Sequence, residues 1–250
     1  MQTPENGNPE SRWFGDRAVS PDEKTDLVSG VFAGVAERYD LMNDLMSGGV
    51  HRLWKASFLA QVAPREGEKI LDVAGGSGDI ALAMAASSPV TICDLSPEMV
   101  AVAQRRAAKE GLADSVTVTV GNAEDLPIPS RSMDVYTIAF GLRNVTRIDK
   151  ALAEARRVLR PGGRFFCLEF SRVVIPPLRT AYERYSDVVI PRLGRFVARD
   201  EESYRYLVES IRRFPSQRAL AQRMEAAGMD RVGHRNMTGG IVAIHHGWRL

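Results

Sequence analysis

The chain has 250 residues, 44% of them hydrophobic and 26% charged, with 33 basic against 31 acidic side chains and a formal net charge of +2. That length suits one large domain with a full core, and the charge and glycine content exclude collagen-like, low-complexity and wholly disordered classes. No apolar run reaches the ~20 residues needed to cross a bilayer, and the first ten residues lack the apolar core of a signal peptide, so the expectation is a soluble, cytoplasmic protein.

The predicted elements begin after a polar, aperiodic stretch over residues 1–24, which reads as a mobile tail. From Thr25 to Val62 apolar residues recur at helical spacing, interrupted by Gly48-Gly49, which predicts two or three helices. Strands and helices then alternate. Residues 68–74 form a short apolar strand that ends in Gly75-Gly76-Ser77-Gly78. A helix follows from Asp79 to Ser87, and a second strand spans residues 89–96. Pro97 opens the next helix as a first-turn residue, behind Ser96 as its N-cap, and Gly111 stops it. Further strands are predicted over 116–121, 132–140 and 164–171, with a helix over 148–159 closed by Pro161-Gly162-Gly163. Residues 172–215, punctuated by proline, read as an inserted helical cap. A last helix over 216–227 precedes a β-hairpin joined at Thr238-Gly239. Near-continuous apolar strands alternating with helices imply an α/β fold, a doubly wound, mainly parallel sheet of seven strands whose C-terminal edge is antiparallel. Cys93 and Cys167 fall inside strands and read as buried thiols.

Charge is unevenly distributed. Residues 1–140 carry 12 basic and 20 acidic side chains, whereas residues 141–250 carry 21 basic and 11 acidic. Such a basic half suits nucleic acid, an anionic membrane surface or an acidic substrate, or is one of two complementary faces of one fold. His245-His246 has no Cys or carboxylate at ligand spacing, so no metal site is expected.

The turn Asp72-Val73-Ala74-Gly75-Gly76-Ser77-Gly78 sits between a strand and a helix, where glycines admit close backbone approach and a helix N-terminus offers free N–H groups. It matches the dinucleotide fingerprint G-x-G-x-x-[GA], with Asp94 eighteen residues after Gly76. Asp72 argues against a dinucleotide, because a carboxylate at the strand tip repels a pyrophosphate and attracts an ammonium. The polar turn after the third strand, Gly121-Asn122-Ala123-Glu124, suits an adenine edge. An adenosine bearing an amino acid and no phosphate satisfies all of these features, and S-adenosylmethionine is that molecule. Asp94 would accept the ribose hydroxyls, Asp72 with Gly76, Ser77 and Gly78 would hold the methionine end, and Asn122 with Ala123 would address adenine. A nicotinamide-dependent oxidoreductase on the same turn, and a nucleic-acid-binding use of the Arg-rich 172–218 stretch, are the competing readings.

The string Tyr39-Asp40-Leu41-Met42-Asn43-Asp44-Leu45-Met46-Ser47, followed by His51-Arg52-Leu53-Trp54-Lys55, resembles the first signature of the ubiquinone/menaquinone biosynthesis C-methyltransferases, the UbiE family. Phe140-Gly141-Leu142-Arg143-Asn144-Val145-Thr146, Leu168-Glu169-Phe170-Ser171, and Ser203-Tyr204-Arg205-Tyr206-Leu207 are similar to the rest of its pattern. The resemblance implies one class I methyltransferase domain over residues 25–250, with N-terminal helices over 25–62 and the cap over 172–215. It implies methylation of a ring carbon of a polyprenylated benzoquinol or demethylmenaquinol, with S-adenosylmethionine as donor and no metal. The donor contacts it carries over fall on Ser77 (Thr in many members), Asp94, Asn122 and Ala123, whereas Ala139 stands where many members have Ser. Arg143 is expected to stabilise the developing phenolate or orient a water, and Asn144 to orient the ring oxygens; for Arg143 the alternative is a structural ion pair with Asp149 or Glu169. His51 beside Trp54 reads as packed rather than catalytic, and Tyr39 with Asp40 as a lid. The implied partners are the quinol, peripheral contact with the inner face of a membrane or with a quinone-biosynthesis complex, no nucleic acid, and a homodimer as a compatible assembly.

Overall fold

A computed structural model describes residues 13–14, 17–20, 23–24, 27, 47, 49–186 and 201–250, the backbone alone at 14, 18 and 201–204. Its elements in chain order are β1 (Trp13–Phe14), β2 (Arg17–Ala18), α1 (His51–Val62), β3 (Ile70–Val73), α2 (Asp79–Ala85), β4 (Val90–Asp94), α3 (Pro97–Lys109), β5 (Val116–Val120), β6 (Met133–Ala139), α4 (Ile148–Val158), β7 (Leu159–Phe170), α5 (Pro176–Arg184), α6 (Glu201–Arg213), α7 (Gln217–Ala226), β8 (Asp230–Met237) and β9 (Val242–Trp248). The N-terminal string Tyr39 to Met46 and most of residues 25–46 lie outside the described residues, as do residues 187–200 of the expected cap.

The main sheet has seven strands in the order β5-β4-β3-β6-β7-β9-β8. The five central and left-hand strands are parallel, and β9 and β8 close the other edge antiparallel. The chain runs outward from β3 through β4 to β5, then returns to the other side of β3 as β6. That reversal puts a topological switch point between the C-terminal ends of β3 and β6, where such sheets bind ligands. Strand side chains alternate between two cores. Ile70, Ile92 and Phe166 join Trp54, Phe58 and Met84 on one face, while Leu71, Cys93, Tyr136 and Cys167 pack on the other. Both thiols are free and buried. Two strands lie between β4 and β7, and three spacings of about 4.8 Å exceed the reach of a disulfide.

Local rules place most helix ends. Ser96 is extended at φ −88° and its Oγ accepts from Met99 N–H, with Pro97 in the first turn of α3. Ser216 caps α7 in the same manner, and Gly111 and Gly228 follow their helices at φ 72° and 83°.

One departure from the sequence reading is informative. The helix α4 is not closed by Pro161-Gly162-Gly163; it ends at Val158, Leu159 is already extended, and β7 starts there. Met133 pairs with Leu159 and Val135 with Arg164, so two residues of β6 face five of β7, and Pro161 to Gly163 form the bulge. Gly162 and Gly163 exchange hydrogen bonds with the C-terminal Arg249. The Arg249 guanidinium donates to the carbonyls of Arg156, Arg157 and Leu159, satisfying the end of α4 from 90 residues away. Within the stretch expected as tail, Trp13–Phe14 pairs with Arg17–Ala18, and the Arg213 guanidinium of α6 lies 4.2 Å from the Trp13 ring centroid.

Candidate functional site

The C-terminal ends of β3 and β6 are joined by close backbone packing. A Cβ on Gly141 would lie 2.5 Å from Ala74 Cβ, and one on Gly75 would lie 2.9 Å from Ile92 Cγ2 and 3.0 Å from Asp72 Oδ2. Ala74 and Phe140, the residues that leave these two strands, both have positive φ, 51° and 55°. Two strained non-glycine residues side by side mark a place where the surrounding fold imposes a conformation, which is characteristic of ligand sites.

Between these turns lies a crevice of about 100 Å³, whose lining includes Gly76, Asp94, Asn122, Ala123, Asn144 and Phe140. Five of the residues singled out from the sequence therefore meet at one opening. Asp94 ends β4; its Oδ2 accepts from Gly76 N–H and its Oδ1 from Ser96 N–H, both at 2.9 Å. Burial pushes its carboxyl up, and those two backbone donors pull it down. Ser96, not Asp94, caps α3, which leaves the outer lone pairs of Asp94 for a ligand. Asn122 folds back so that its Oδ1 accepts from Glu124 N–H at 2.9 Å. Glu124 is buried and paired with Arg147 at 2.6 Å, which fixes the turn that follows β5.

A smaller recess of about 30 Å³ shares Ala74, Gly76 and Phe140 with the crevice and adds Lys55, Asp72, Ser77 and Asp79. Asp72 is 1% exposed and makes no ion pair among the described residues. Parallel pairing puts it opposite Thr137 of β6, whose Oγ1 donates to Asp72 Oδ1 at 2.6 Å. Burial pushes the Asp72 carboxyl up to about 7, against the opposing pull of Thr137. Asp79, at the start of α2, behaves oppositely. Burial raises it, but Lys55 at 2.7 Å and Arg106 outweigh burial and hold it at about 2. The Lys55 ammonium is thereby paired with Asp79 and acts on Asp72 only as a weaker, longer-range pull, so Asp72 is a buried carboxyl without an ion-pair partner among the described residues. Ser77 is buried, with Arg106 donating to its Oγ at 3.1 Å and to its carbonyl at 3.2 Å. Gly78 sits left-handed at φ 88° directly before α2.

Arg143 and Asn144 are consecutive but point into different surroundings. The Arg143 side chain is 1% exposed, paired with Glu169 at 2.9 Å. It also donates to the Phe140 carbonyl and lies 5.6 Å over the Phe170 ring. Of the two structural partners expected for it, Glu169 is the one found; Asp149 lies near Arg223 instead. Arg143 thus braces the turn from behind and does not open on the crevice. Asn144 does open on it, and its Oδ1 accepts from Tyr206 OH of α6 at 3.1 Å. His51 is buried with Nδ1 3.0 Å from Ser47 Oγ, a packed histidine. His245 is buried against the Gln217 carbonyl and held near pKa 4 by burial. Among the described residues no cluster of three metal-ligating side chains occurs, and no helix is long and apolar enough to cross a membrane.

Sequence reasoning did not identify Thr137, Lys55, Arg106 or the Tyr206–Asn144 contact. Tyr206 stood in a recognised string without a role, and Thr137 had no local signal, since only the β3–β6 register brings it to Asp72.

The profile of the ubiE/COQ5 methyltransferase family matches residues 18–249. The chain is 53% identical over 243 residues to the ubiquinone/menaquinone biosynthesis C-methyltransferase UbiE of Brucella abortus (strain S19), covering 95% of this chain and 90% of that protein. It is 52% identical over 245 residues to the protein of the same description from Paracoccus denitrificans (strain Pd 1222), covering 97% and 98%. Among solved structures, a SAM-dependent methyltransferase from Aquifex aeolicus superposes with a TM-score of 0.60 at 19% identity, covering 84% of this chain and 98% of that one. A putative methyltransferase in complex with the Haloferax volcanii Trm112 activator gives 0.64 at 18% identity, covering 87% and 97%. At such identities the structures establish the fold.

Proposed function

The chain belongs to the ubiE/COQ5 methyltransferase family, and on that premise we propose that it is the S-adenosylmethionine-dependent C-methyltransferase of ubiquinone/menaquinone biosynthesis, acting on a ring carbon of a polyprenyl quinol. The observation that carries the donor assignment is Asp72, a buried carboxyl without an ion-pair partner among the described residues, in the recess that adjoins the Asp94 crevice. An amino acid ammonium in that recess supplies the missing charge, while Asp94 accepts the ribose hydroxyls and Asn122 with Ala123 addresses adenine. Gly76 and Gly78 already donate their N–H groups to Asp94 Oδ2 and to the Gly75 carbonyl, so the turn serves the methionine end by close backbone approach at Gly76, which has no side chain to block it. A pyrophosphate in the same place would face Asp72 and Asp79, which disfavours the nicotinamide reading.

The bound donor supplies an electrophilic methyl group. The chain must hold the quinol ring in line with it and favour a ring oxygen that has lost its proton. Asn144, at the rim beside Phe140, is placed to hydrogen-bond a ring oxygen, with Tyr206 fixing its amide. Arg143 and Glu169 act one layer back as positioning residues, bracing the turn that carries Asn144. A polyprenyl quinol resides in the bilayer, so the enzyme meets it by peripheral contact with the inner membrane surface or through a quinone-biosynthesis complex, and the basic half of the chain supports contact with anionic lipid. The test is transfer of labelled methyl to short-chain demethylated benzoquinol and naphthoquinol, supplied separately. Labelled product from either supports the reading; donor binding without transfer to both would refute it.

A further inference from the structure

We infer that Lys55 holds the carboxylate of the methyl donor, so that Lys55 on α1 and Asp72 on β3 clasp the two charged ends of its α-amino acid in one recess. The inference rests on the donor being S-adenosylmethionine, as proposed above.

An α-amino acid carries an ammonium and a carboxylate on one carbon, and a site that takes it out of water must answer both charges. Asp72 answers the ammonium. For the carboxylate the backbone has little left to offer. Gly75 donates its N–H to the Cys93 carbonyl, and Gly76 and Gly78 are likewise engaged within the turn. The helix α2 that follows is only seven residues long. Among the residues lining the recess, Lys55 is the one cation, and its side chain is 15% exposed.

The charges around the recess are unequal. Asp79 faces two cations: its Oδ2 accepts from Lys55 at 2.7 Å and its Oδ1 from Arg106. Arg106 is tied further to the carbonyl and Oγ of Ser77. One carboxylate therefore balances one of two cations, and a positive charge remains unmatched by contact at Lys55. Asp72 does not supply that contact, since it makes no ion pair among the described residues and its Oδ1 accepts from Thr137. A lysine ammonium has three donors, and Lys55 spends one of them on Asp79. Gly76 lines the same recess, and a Cβ there would meet nothing within 4 Å, so ligand atoms have room. The glycine turn supplies the space and Lys55 the charge.

The competing role for Lys55 is purely structural, a tie between α1 and α2 through Asp79. The two roles differ for a donor stripped of its carboxylate. The test is calorimetric titration of the full-length chain with S-adenosylmethionine and with its decarboxylated analogue, which keeps the ammonium, the sulfonium and the adenosine. Lys55→Met should weaken S-adenosylmethionine binding by about ten- to a hundredfold, the scale of a hydrogen bond between charged groups. The same change should cost the analogue no more than about threefold, and Lys55→Arg, which keeps the charge, should recover most of the loss. In the wild type, where no variant has to fold, the analogue should bind about tenfold more weakly than the full donor. Thermal unfolding without ligand checks that each variant is folded. An equal penalty for both ligands, no penalty for either, or wild-type binding indifferent to the carboxylate would overturn the role of Lys55. Those results leave the donor assignment standing wherever S-adenosylmethionine still binds and labelled methyl is still transferred. A wild type that binds neither ligand would remove the donor assignment, and this inference with it.

Discussion

Asp72→Asn tests how a buried charge is exchanged for donor affinity. The wild-type carboxyl is pushed from 3.8 to about 7 by burial, so the folded, unliganded protein favours its protonated form. At 1.36 kcal/mol per pH unit, ionising it in the fold costs about 4 kcal/mol. For an acid with a raised folded pKa, the stability is fully present below about 4, is lost progressively as pH rises toward 7, and stays lost above it. Asn keeps an acceptor for Thr137 Oγ1 and removes the charge. Urea unfolding without ligand should find Asp72→Asn and wild type equal near pH 4, with the variant more stable by up to about 4 kcal/mol at pH 8. Donor binding should show the reverse. Ionised Asp72 favours the ammonium, so wild-type affinity should rise by nearly tenfold per pH unit from 5.5 to about 7 and then level. Asp72→Asn should bind 10- to 100-fold more weakly at pH 7.5, the scale of a hydrogen bond to a charged group, with no such slope. The donor's own amino group titrates near 8, so the comparison ends at pH 7.5. Equal stability of the two proteins at pH 8, or undiminished donor affinity in the variant, would refute the assignment of Asp72.

Asp94→Ala should weaken donor binding by about 1.5–3 kcal/mol while circular dichroism remains native; calorimetry with normal affinity would remove Asp94 from the site. Glu169→Gln leaves Arg143 charged and buried, and should cost about 3–5 kcal/mol in denaturant unfolding. The double change Arg143→Met with Glu169→Leu should recover much of that stability yet not the turnover rate, since the turn behind Asn144 loses its brace; full activity would deny Arg143 a positioning role. Gly141→Ala brings a methyl to within 2.5 Å of Ala74 Cβ and should destabilise by about 1–3 kcal/mol with a loss of donor affinity, both measurable by thermal shift with and without donor.

The glycine turn, Asp94 and the polar turn at Asn122 were legible because each is a local signal: a strand ends, a special φ or a cap is needed, and a helix begins. The mainly parallel sheet and its antiparallel edge followed from hydrophobic period and turn chemistry, which depend on near neighbours in the chain, whereas the order β5-β4-β3-β6-β7-β9-β8 comes only from the pairing itself. Arg143 shows where local reading stops. Its string resembles the family's, but its surroundings are set by Glu169 on β7 and by Phe140 and Phe170, all brought to it by the fold. Thr137 sits beside Asp72 only because β3 and β6 pair in that register, and Tyr206 reaches Asn144 across 62 positions. Arg249 closes α4 from the far end of the chain for the same reason. Residue types and short spacings thus determined which chemistry the chain carries, through backbone geometry that each segment imposes on itself. Which side chains face one another, which charges are left without a counter-ion and where space remains were decided by packing, because register, burial and desolvation exist only once distant segments meet.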